Sequence, residues 1–443
     1  MHIIEKRLSD PKLYLNEIDR LHQQLQKNHK LFDKKQNGAQ FYQISMQRKK
    51  IAKMLAQSVS QQEYELTICQ QNWIDIAGKS QPLLSYPITD RIVIGALYQA
   101  ILPETQTTFH ETLFSFIKGR SNYQATKMIC EHLKNTSKNH PKGHLDLYVL
   151  KTDICDYTNS IPIGPQAPIW GLLKSLISYC DPSHEISPYL WNLLSSVIRP
   201  SYYTPDGNLV ENFIGVAYGT QMTTLIANLY LSKLDHQLSL IPDLFHIRYG
   251  DDIILMHKNP DILNSSYSLL KEFIHEYHLS INPDKNQWIY LTKAGRPCSM
   301  NPLFCGKHEF DYLGFNIQSD GSLRIKKKYT HQFMKQVHSR IRSSAHLTKN
   351  LSLDERASAI CSAVNEAMRR ESPFIVKDLH RYYSQHDDRK QLKQMDRQIA
   401  LWVAQALCGV YNQSAFRIIP YKKIRSEWHL PSLCHTRNLK SAR

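Results

Sequence analysis

Two short segments bring carboxylates to the ends of strongly apolar stretches: Leu150-Lys151-Thr152-Asp153-Ile154-Cys155-Asp156 and Ile247-Arg248-Tyr249-Gly250-Asp251-Asp252-Ile253-Ile254. A carboxylate in such surroundings is costly unless a cation compensates it. A divalent metal is the simplest compensation. Hard oxygen ligands suit Mg2+, and two ions roughly 3.5 to 4 Å apart can clamp the attacking and leaving oxygens of a phosphoryl transfer. The set that this chemistry calls for is Asp153 with Asp251, Asp252 beside it, and the Ile154 carbonyl as an extra ligand. Taken alone an Asp-Asp pair is a weak signal, because turns favour aspartate for their own hydrogen bonding.

The flanking patterns supply elements to carry these acids. Residues 144–154 alternate, with Leu145, Leu147 and Val149 on one face, which predicts a half-buried strand ending at Asp153. Leu244 to His257 has the composition of two short strands around the turn Tyr249-Gly250-Asp251-Asp252, and Leu225 to Leu234 reads as a helix. Upstream, Leu15, Ile18, Leu21 and Leu25, then Phe41, Ile44, Ile51 and Leu55, recur at helical spacing and predict two helices before residue 60. Arg91 to Leu102 reads as an apolar helix stopped by Pro103. Residues 168–198 hold two apolar helices, Thr204-Pro205-Asp206-Gly207-Asn208 signals a hairpin, Tyr267 to Tyr277 a helix and Phe310 to Ile317 a strand.

Charge divides the chain. Lys and Arg number 55 against 39 Asp and Glu, a net charge of +16, which favours a polyanionic partner. From Gly321 onward there are 24 basic residues against 9 acidic, leaving 31 against 30 before it. In that basic region Phe333, Val337 and Ile341 form an apolar stripe, while Lys328, Lys335, Arg342 and Lys349 recur every seven residues on another face, a ridge suited to a phosphate backbone. Leu392, Met395, Ile399 and Trp402 mark a second amphipathic helix. No apolar run approaches the length of a membrane span and the N-terminus lacks a signal-peptide core, so a cytoplasmic location is expected. The nine cysteines contain no C-x2-C pair and read as reduced thiols; Cys298, Cys305 and His308 are the one group with any zinc-like spacing.

Five segments occur in a set order: Asp153-Ile154-Cys155-Asp156-Tyr157-Thr158; Gly215 to Leu231; Tyr249-Gly250-Asp251-Asp252; His278 to Lys285; and Tyr312-Leu313-Gly314-Phe315. The series resembles the ordered A to E motifs of reverse transcriptases. Pro87-Ile88-Thr89-Asp90-Arg91, Leu102-Pro103 and Phe116-Ile117-Lys118-Gly119-Arg120-Ser121 look like the fingers of the group II intron-related bacterial enzymes, and the likeness spans roughly residues 80–320.

The resemblance implies that Asp153 and Asp251 bind two catalytic Mg2+ ions, with Mn2+ as a substitute, and that Asp252 completes the cluster. It implies that Thr158, Gly219 and Lys285 face the nucleotide and that Arg91, in the fingers, faces the nucleotide's triphosphate or the template. Gly219 would allow the backbone to approach the nucleotide and template base, and Lys285 would stand at the pyrophosphate end. Tyr218, Tyr249, Leu313, Gly314, Lys118 and Arg120 would face primer or template. Arg91, Lys118 and Arg120 each have an ordinary alternative as a surface charge. Departures stand out. Thr158 occupies the position where relatives carry a bulky aromatic sugar gate, and Ala217-Tyr218 replaces Pro-Gln. Sugar discrimination is thereby open.

The expected fold is α+β: a right-hand polymerase with fingers, a palm on a small antiparallel sheet, a helical thumb and a basic all-helical C-terminal region. The expected divisions are an N-terminal helical extension at 1–60, fingers and palm at 61–320, and a basic thumb and RNA-binding region at 321–443. Retron signatures are not found, and the segment between the first two motifs, residues 163–210, is long. The pattern looks most like the bacterial defence-associated reverse transcriptases. That likeness implies a non-coding RNA template, dNTPs, a DNA product, anti-phage immunity, and a second copy or a second defence protein as partner. RNA-directed RNA synthesis and a non-catalytic RNA-binding scaffold are the rival readings.

Overall fold

The computed structural model describes residues 1–27, 38–76, 79–138, 146–216, 219–298, 301–368 and 389–434. Contacts divide the chain into two compact units, Met1–Ser121 with Tyr148–Trp288, and Asn122–Leu147 with Ile289–Arg443. The divisions expected at 60/61 and 320/321 are functional ones, and the compact units part the chain elsewhere.

The first unit is built around three antiparallel strands. After the hairpin β1 (Cys69–Ile76) and β2 (Lys79–Ser85) comes β3 (Leu147–Asp153), then the hairpin β4 (Ser201–Tyr203) and β5 (Leu209–Glu211), then β6 (Phe245–Tyr249) and β7 (Asp252–His257). β7 pairs with both β6 and β3, and the register sets Asp153 opposite Asp252 and Tyr249 opposite Asp252. The expected half-buried β3 is instead buried on both faces, with Leu147, Tyr148, Val149 and Leu150 all enclosed. A strand enclosed on both faces loses the alternation of a half-exposed one. The predicted hairpins at 204–208 and 249–252 are present. β4 also pairs in parallel with β1, so the insert between the first two motifs extends the β1–β2 sheet.

Among the described residues the first 60 hold four helices, not two: Ile3–Leu8, Pro11–Lys27, Gly38–Met46 and Arg48–Ser60. The first is anchored far along the chain: a ring nitrogen of His2 lies 3.3 Å from the Ile177 carbonyl, the Ile3 N–H donates to Asp181 at 3.0 Å, and the Ser187 N–H donates to Glu5 at 2.8 Å. The helix Ile88–Thr108 runs through Pro103 instead of stopping there. Proline removes one N–H and crowds the preceding turn. The carbonyl that loses its partner is that of Gln99; one residue on, Arg7 ties the same stretch down, donating to the Ala100 carbonyl at 2.8 Å and to both Glu104 oxygens at 2.7 and 2.6 Å. The helix expected over 225–234 is split at Leu231 into Met222–Tyr230 and Ser232–Ser239.

The second unit holds β8 (Gln287–Leu291), paired in parallel with β9 (Cys305–Lys307), and the meander β10 (Glu309–Tyr312), β11 (Phe315–Gln318) and β12 (Leu323–Ile325). The single strand read over 310–317 is therefore a hairpin. Leu313 and Gly314 form its turn at φ +45° and +90°, the left-handed pair that a tight hairpin demands. The helix Lys327–Leu347 buries Phe333, Val337 and Ile341 as its spacing predicts, and Arg389–Cys408 buries Leu392, Met395 and Ile399. Among the described residues no helix is long and apolar enough to cross a membrane.

Candidate active site

The acids converge because β3 and the β6–β7 hairpin deliver them to one edge. Asp153 ends β3, and Asp252 opens β7 directly across from it. Asp251 occupies the turn after Gly250, whose φ of +69° lets the hairpin close. Burial, with the charges of Asp153 and Asp252 beside it, pushes the Asp251 carboxyl up to about 6. Like charges held this close call for a cation. Lys285 supplies one: its Nζ donates to Asp153 Oδ2 at 2.5 Å, and that bond raises the lysine pKa.

Backbone pairing fixes this geometry. The Asn282 N–H donates to the Asp153 carbonyl at 2.9 Å and the Cys155 N–H to the Ser280 carbonyl at 2.8 Å, closing a bridge between Ile154 and Ile281. In that pattern the groups of the flanking residues make the bonds, so the Ile154 carbonyl takes no part in the bridge. The donor set therefore suits a hard divalent ion: three carboxylates and one backbone carbonyl, with an ammonium already drawn to them. Cys298, Cys305 and His308 form no such group, and no cluster of three acid, His or Cys side chains close enough to grip a metal is found among the described residues. The three aspartates are brought to one edge without yet being drawn to metal-bonding distance.

Thr158 lies in the one-turn helix Tyr157–Ser160, half-buried, and its carbonyl accepts from the Val216 N–H at 2.8 Å. Gly215 donates to the Ile161 carbonyl, and a Cβ on it, at φ +85°, would stand 3.0 Å from the Asn159 carbonyl oxygen. The second motif is thus laid on the turn of the first at Gly215, a contact that reading Gly219 alone misses. Gly219 has φ +114°, but a side chain there would meet Leu83 at 3.0 Å and the Leu84 carbonyl at 3.2 Å. The backbone conformation and the closeness of strand β2 both call for glycine at this position. Arg91 and Gly219 line one cleft. Tyr218 lies outside the described residues.

Lys118 is exposed beside Gly119, whereas Arg120 Nη1 donates to the His110 and Leu113 carbonyls at 2.6 and 2.7 Å and holds its own loop together. Tyr249 is half-buried at the end of β6. In the second unit, the Leu313 carbonyl accepts from Asn122 at 3.4 Å. Lys328, Lys335 and Arg342 are all exposed on the helix Lys327–Leu347, opposite its buried stripe, and Lys349 lies just past the helix end.

One supporting pair escaped the sequence reading. Arg248, 1% exposed at its side chain, binds Asp235 through Nε (2.7 Å) and Nη2 (2.5 Å), and reaches the Asn228 and Gly250 carbonyls at 3.1 and 3.4 Å. An arginine inside the apolar run ahead of the acids was the available signal.

Comparison with solved structures finds remote matches. The chain is 14% identical to the apo telomerase of Candida tropicalis truncated from its C-terminal domain, with 59% of this chain and 55% of that one covered and a TM-score of 0.43. It is 12% identical to the Candida albicans telomerase in complex with a fragment of telomeric RNA (86% and 64% covered, TM-score 0.43). It is 13% identical to an insertion-loop deletion mutant of the RNA-dependent RNA polymerase of a human picobirnavirus (85% and 64% covered, TM-score 0.42). The chain thus spans 55% to 64% of the length of these proteins. No curated protein matches it significantly. Residues 75–317, more than half of the chain and the stretch that carries Asp153, Asp251, Asp252 and Lys285, match one family model, and by that match the chain belongs to the reverse transcriptase (RNA-dependent DNA polymerase) family.

Proposed function

We propose that this chain is an RNA-directed DNA polymerase that extends a primer hydroxyl, or a protein hydroxyl, from dNTPs with release of pyrophosphate. The observation that carries the reading is the placing of Asp153 opposite Asp252 with Asp251 adjacent, at one sheet edge inside the family's matched segment. Asp153, Asp251, Asp252 and the Ile154 carbonyl would hold two divalent cations, Mg2+ or Mn2+. When bound, such ions neutralise charge on the attacking oxygen, the α-phosphate and the leaving group. Lys285, kept protonated by its bond to Asp153, adds a fixed positive charge on the same side. Arg91 holds phosphate, and Thr158 stands where the sugar would be sensed.

In this reading residues 61–320 are fingers and palm and 321–443 the thumb and RNA-holding region, with the ridge Lys328, Lys335, Arg342 and Lys349 on the backbone of the duplex. The template is a dedicated non-coding RNA, the setting is the cytoplasm, and the role is anti-phage defence, alone, as an oligomer or with a second protein. That role rests on the motif pattern. Thr158, smaller than an aromatic gate, favours RNA-directed RNA synthesis as the second reading.

The test incubates purified protein and its co-purifying RNA with labelled dNTPs or rNTPs. Deoxynucleotide incorporation that disappears after ribonuclease treatment is the expected result. Ribonucleotide-only incorporation moves the assignment to the second reading, and no incorporation by folded protein overturns both.

A further inference from the structure

A cleft of about 290 Å3 opens between the helix Pro11–Lys27, the helix Ile88–Thr108 and the start of Met222–Tyr230. Its charge is set by three side chains. Glu17, 1% exposed at its side chain, lies over Gly95 so closely that a Cβ there would come within 2.3 Å of its carboxyl carbon. That carboxylate accepts from Arg20 Nε at 3.0 and 2.8 Å, from Arg20 Nη2 at 2.5 Å, and from Gln221 Nε2 at 3.1 and 3.3 Å. Glu17 is therefore spent on orienting Arg20 and Gln221. The guanidinium of Arg91, half-buried in the same cleft, makes no hydrogen bond to the protein among the described residues, and burial and the nearby Arg20 charge both lower its pKa. Two guanidinium groups against one carboxylate leave a surplus of one positive charge, with N–H donors still to be satisfied.

We propose that Arg20 and Arg91 form a site for one phosphodiester of the single-stranded template RNA, with Glu17 as the positioning residue that holds Arg20 in place. The inference rests on the polymerase reading and extends it to the N-terminal helix, outside the family's matched segment. A monoanion matches the surplus charge, whereas a nucleoside triphosphate would bring several uncompensated charges into the cleft. The Thr220 hydroxyl and the Gln24 amide add neutral donors along the wall.

The test is binding of a fluorescein-labelled single-stranded RNA 12-mer to the full chain, in EDTA and without nucleotides, so that the site is scored independently of synthesis. Arg20→Gln and Arg91→Gln should each weaken RNA binding by roughly tenfold and lower the slope of log affinity against log salt by about 0.7. Arg91→Lys should keep the slope while recovering only part of the affinity. Gly95→Ala, which displaces Glu17 and leaves both arginines, should weaken RNA binding too. The Arg91 side chain has no protein hydrogen bond to lose among the described residues, so Arg91→Gln carries the test if Arg20→Gln fails to fold. Unchanged RNA affinity and slope in folded Arg91→Gln overturns the proposal. So does a loss confined to dATP affinity measured by equilibrium dialysis, which assigns the cleft to the triphosphate. Failure of the polymerase reading would show differently, as wild-type protein that binds the 12-mer and incorporates nothing.

Discussion

Arg248 and Asp235 face each other as a two-pronged ion pair with side chains 1% and 2% exposed, directly beneath the turn that carries Asp251. Such a pair contributes little compared with apolar residues of the same shape, but breaking it strands a charge in the core. Asp235→Asn should cost about 3 to 5 kcal/mol in urea unfolding, while Arg248→Met with Asp235→Leu should regain most of that loss. Equal losses in the single and double variants would remove the stranded-charge explanation.

Asp251→Asn tests the chemistry itself. Nucleotide incorporation should fall by about a thousandfold or more, the equivalent of several kcal/mol of charge stabilisation, with RNA affinity nearly intact. A variant that still polymerises at a tenth of the wild-type rate would refute the assignment of Asp251.

His246 gives the protein a readable acid response. Burial lowers its pKa to about 4, and a ring nitrogen lies 2.8 Å from the Thr112 hydroxyl. The unfolded chain binds this proton near pH 6.5, so the folded state loses stability as pH falls from 6.5 to 4, by up to roughly 3 kcal/mol. Asp251, raised to about 6, contributes with the opposite sign as its carboxyl takes up a proton. Comparing wild type with His246→Gln isolates the histidine: the variant should lose less stability than wild type between pH 7 and pH 4.5 in urea titrations.

Two glycines with the same backbone separate strain from contact. Gly207 (φ +82°) and Gly215 (φ +85°) share a left-handed conformation, but a Cβ at 207 meets nothing within 4 Å, whereas one at 215 stands 3.0 Å from the Asn159 carbonyl. Alanine at either should cost about 1 kcal/mol of backbone strain. Only Gly215→Ala should add a further 1 to 2 kcal/mol and raise KM for the nucleotide, measured by steady-state incorporation.

Replacing Lys328, Lys335 and Arg342 together with Gln should weaken duplex binding and lower its salt slope by about 2 to 3. An unchanged slope returns these three residues to a solvated helix face.

What the sequence makes legible is local. The β6–β7 hairpin is written in adjacent residues, and the stripe Phe333, Val337, Ile341 in helical spacing, so both are readable and both are present. Strand β3 misleads because its outer face is covered by residues distant in sequence. Pro103 misleads because proline costs the helix a single hydrogen bond, and contacts invisible to local pattern, such as Arg7 with Ala100 93 residues away, hold the helix across it. The same holds at the site: Asp153, Asp251 and Asp252 announce themselves as acids in apolar runs, whereas Glu17 and Gln221 meet across 204 residues and carry no local mark. The turn at Leu313 is readable from the family motif and not from residue type, since leucine rarely adopts positive φ.

The anchoring of residues 2–5 to residues 177–187 also sets an order of events during synthesis. At bacterial or eukaryotic translation rates, roughly 10 to 40 seconds separate the emergence of His2 from that of Asp181. For the first part of that interval, until the helix Ile88–Thr108 with Ala100 and Glu104 has been made, the helix Ile3–Leu8, whose Ile4 and Leu8 are buried in the finished molecule, lacks the partners that Arg7 binds, and its bonds to Asp181 and Ser187 close last. The N-terminal helix is therefore assembled in two stages, first onto the helix Ile88–Thr108 through Arg7 and only later onto the insert through His2, Ile3 and Glu5.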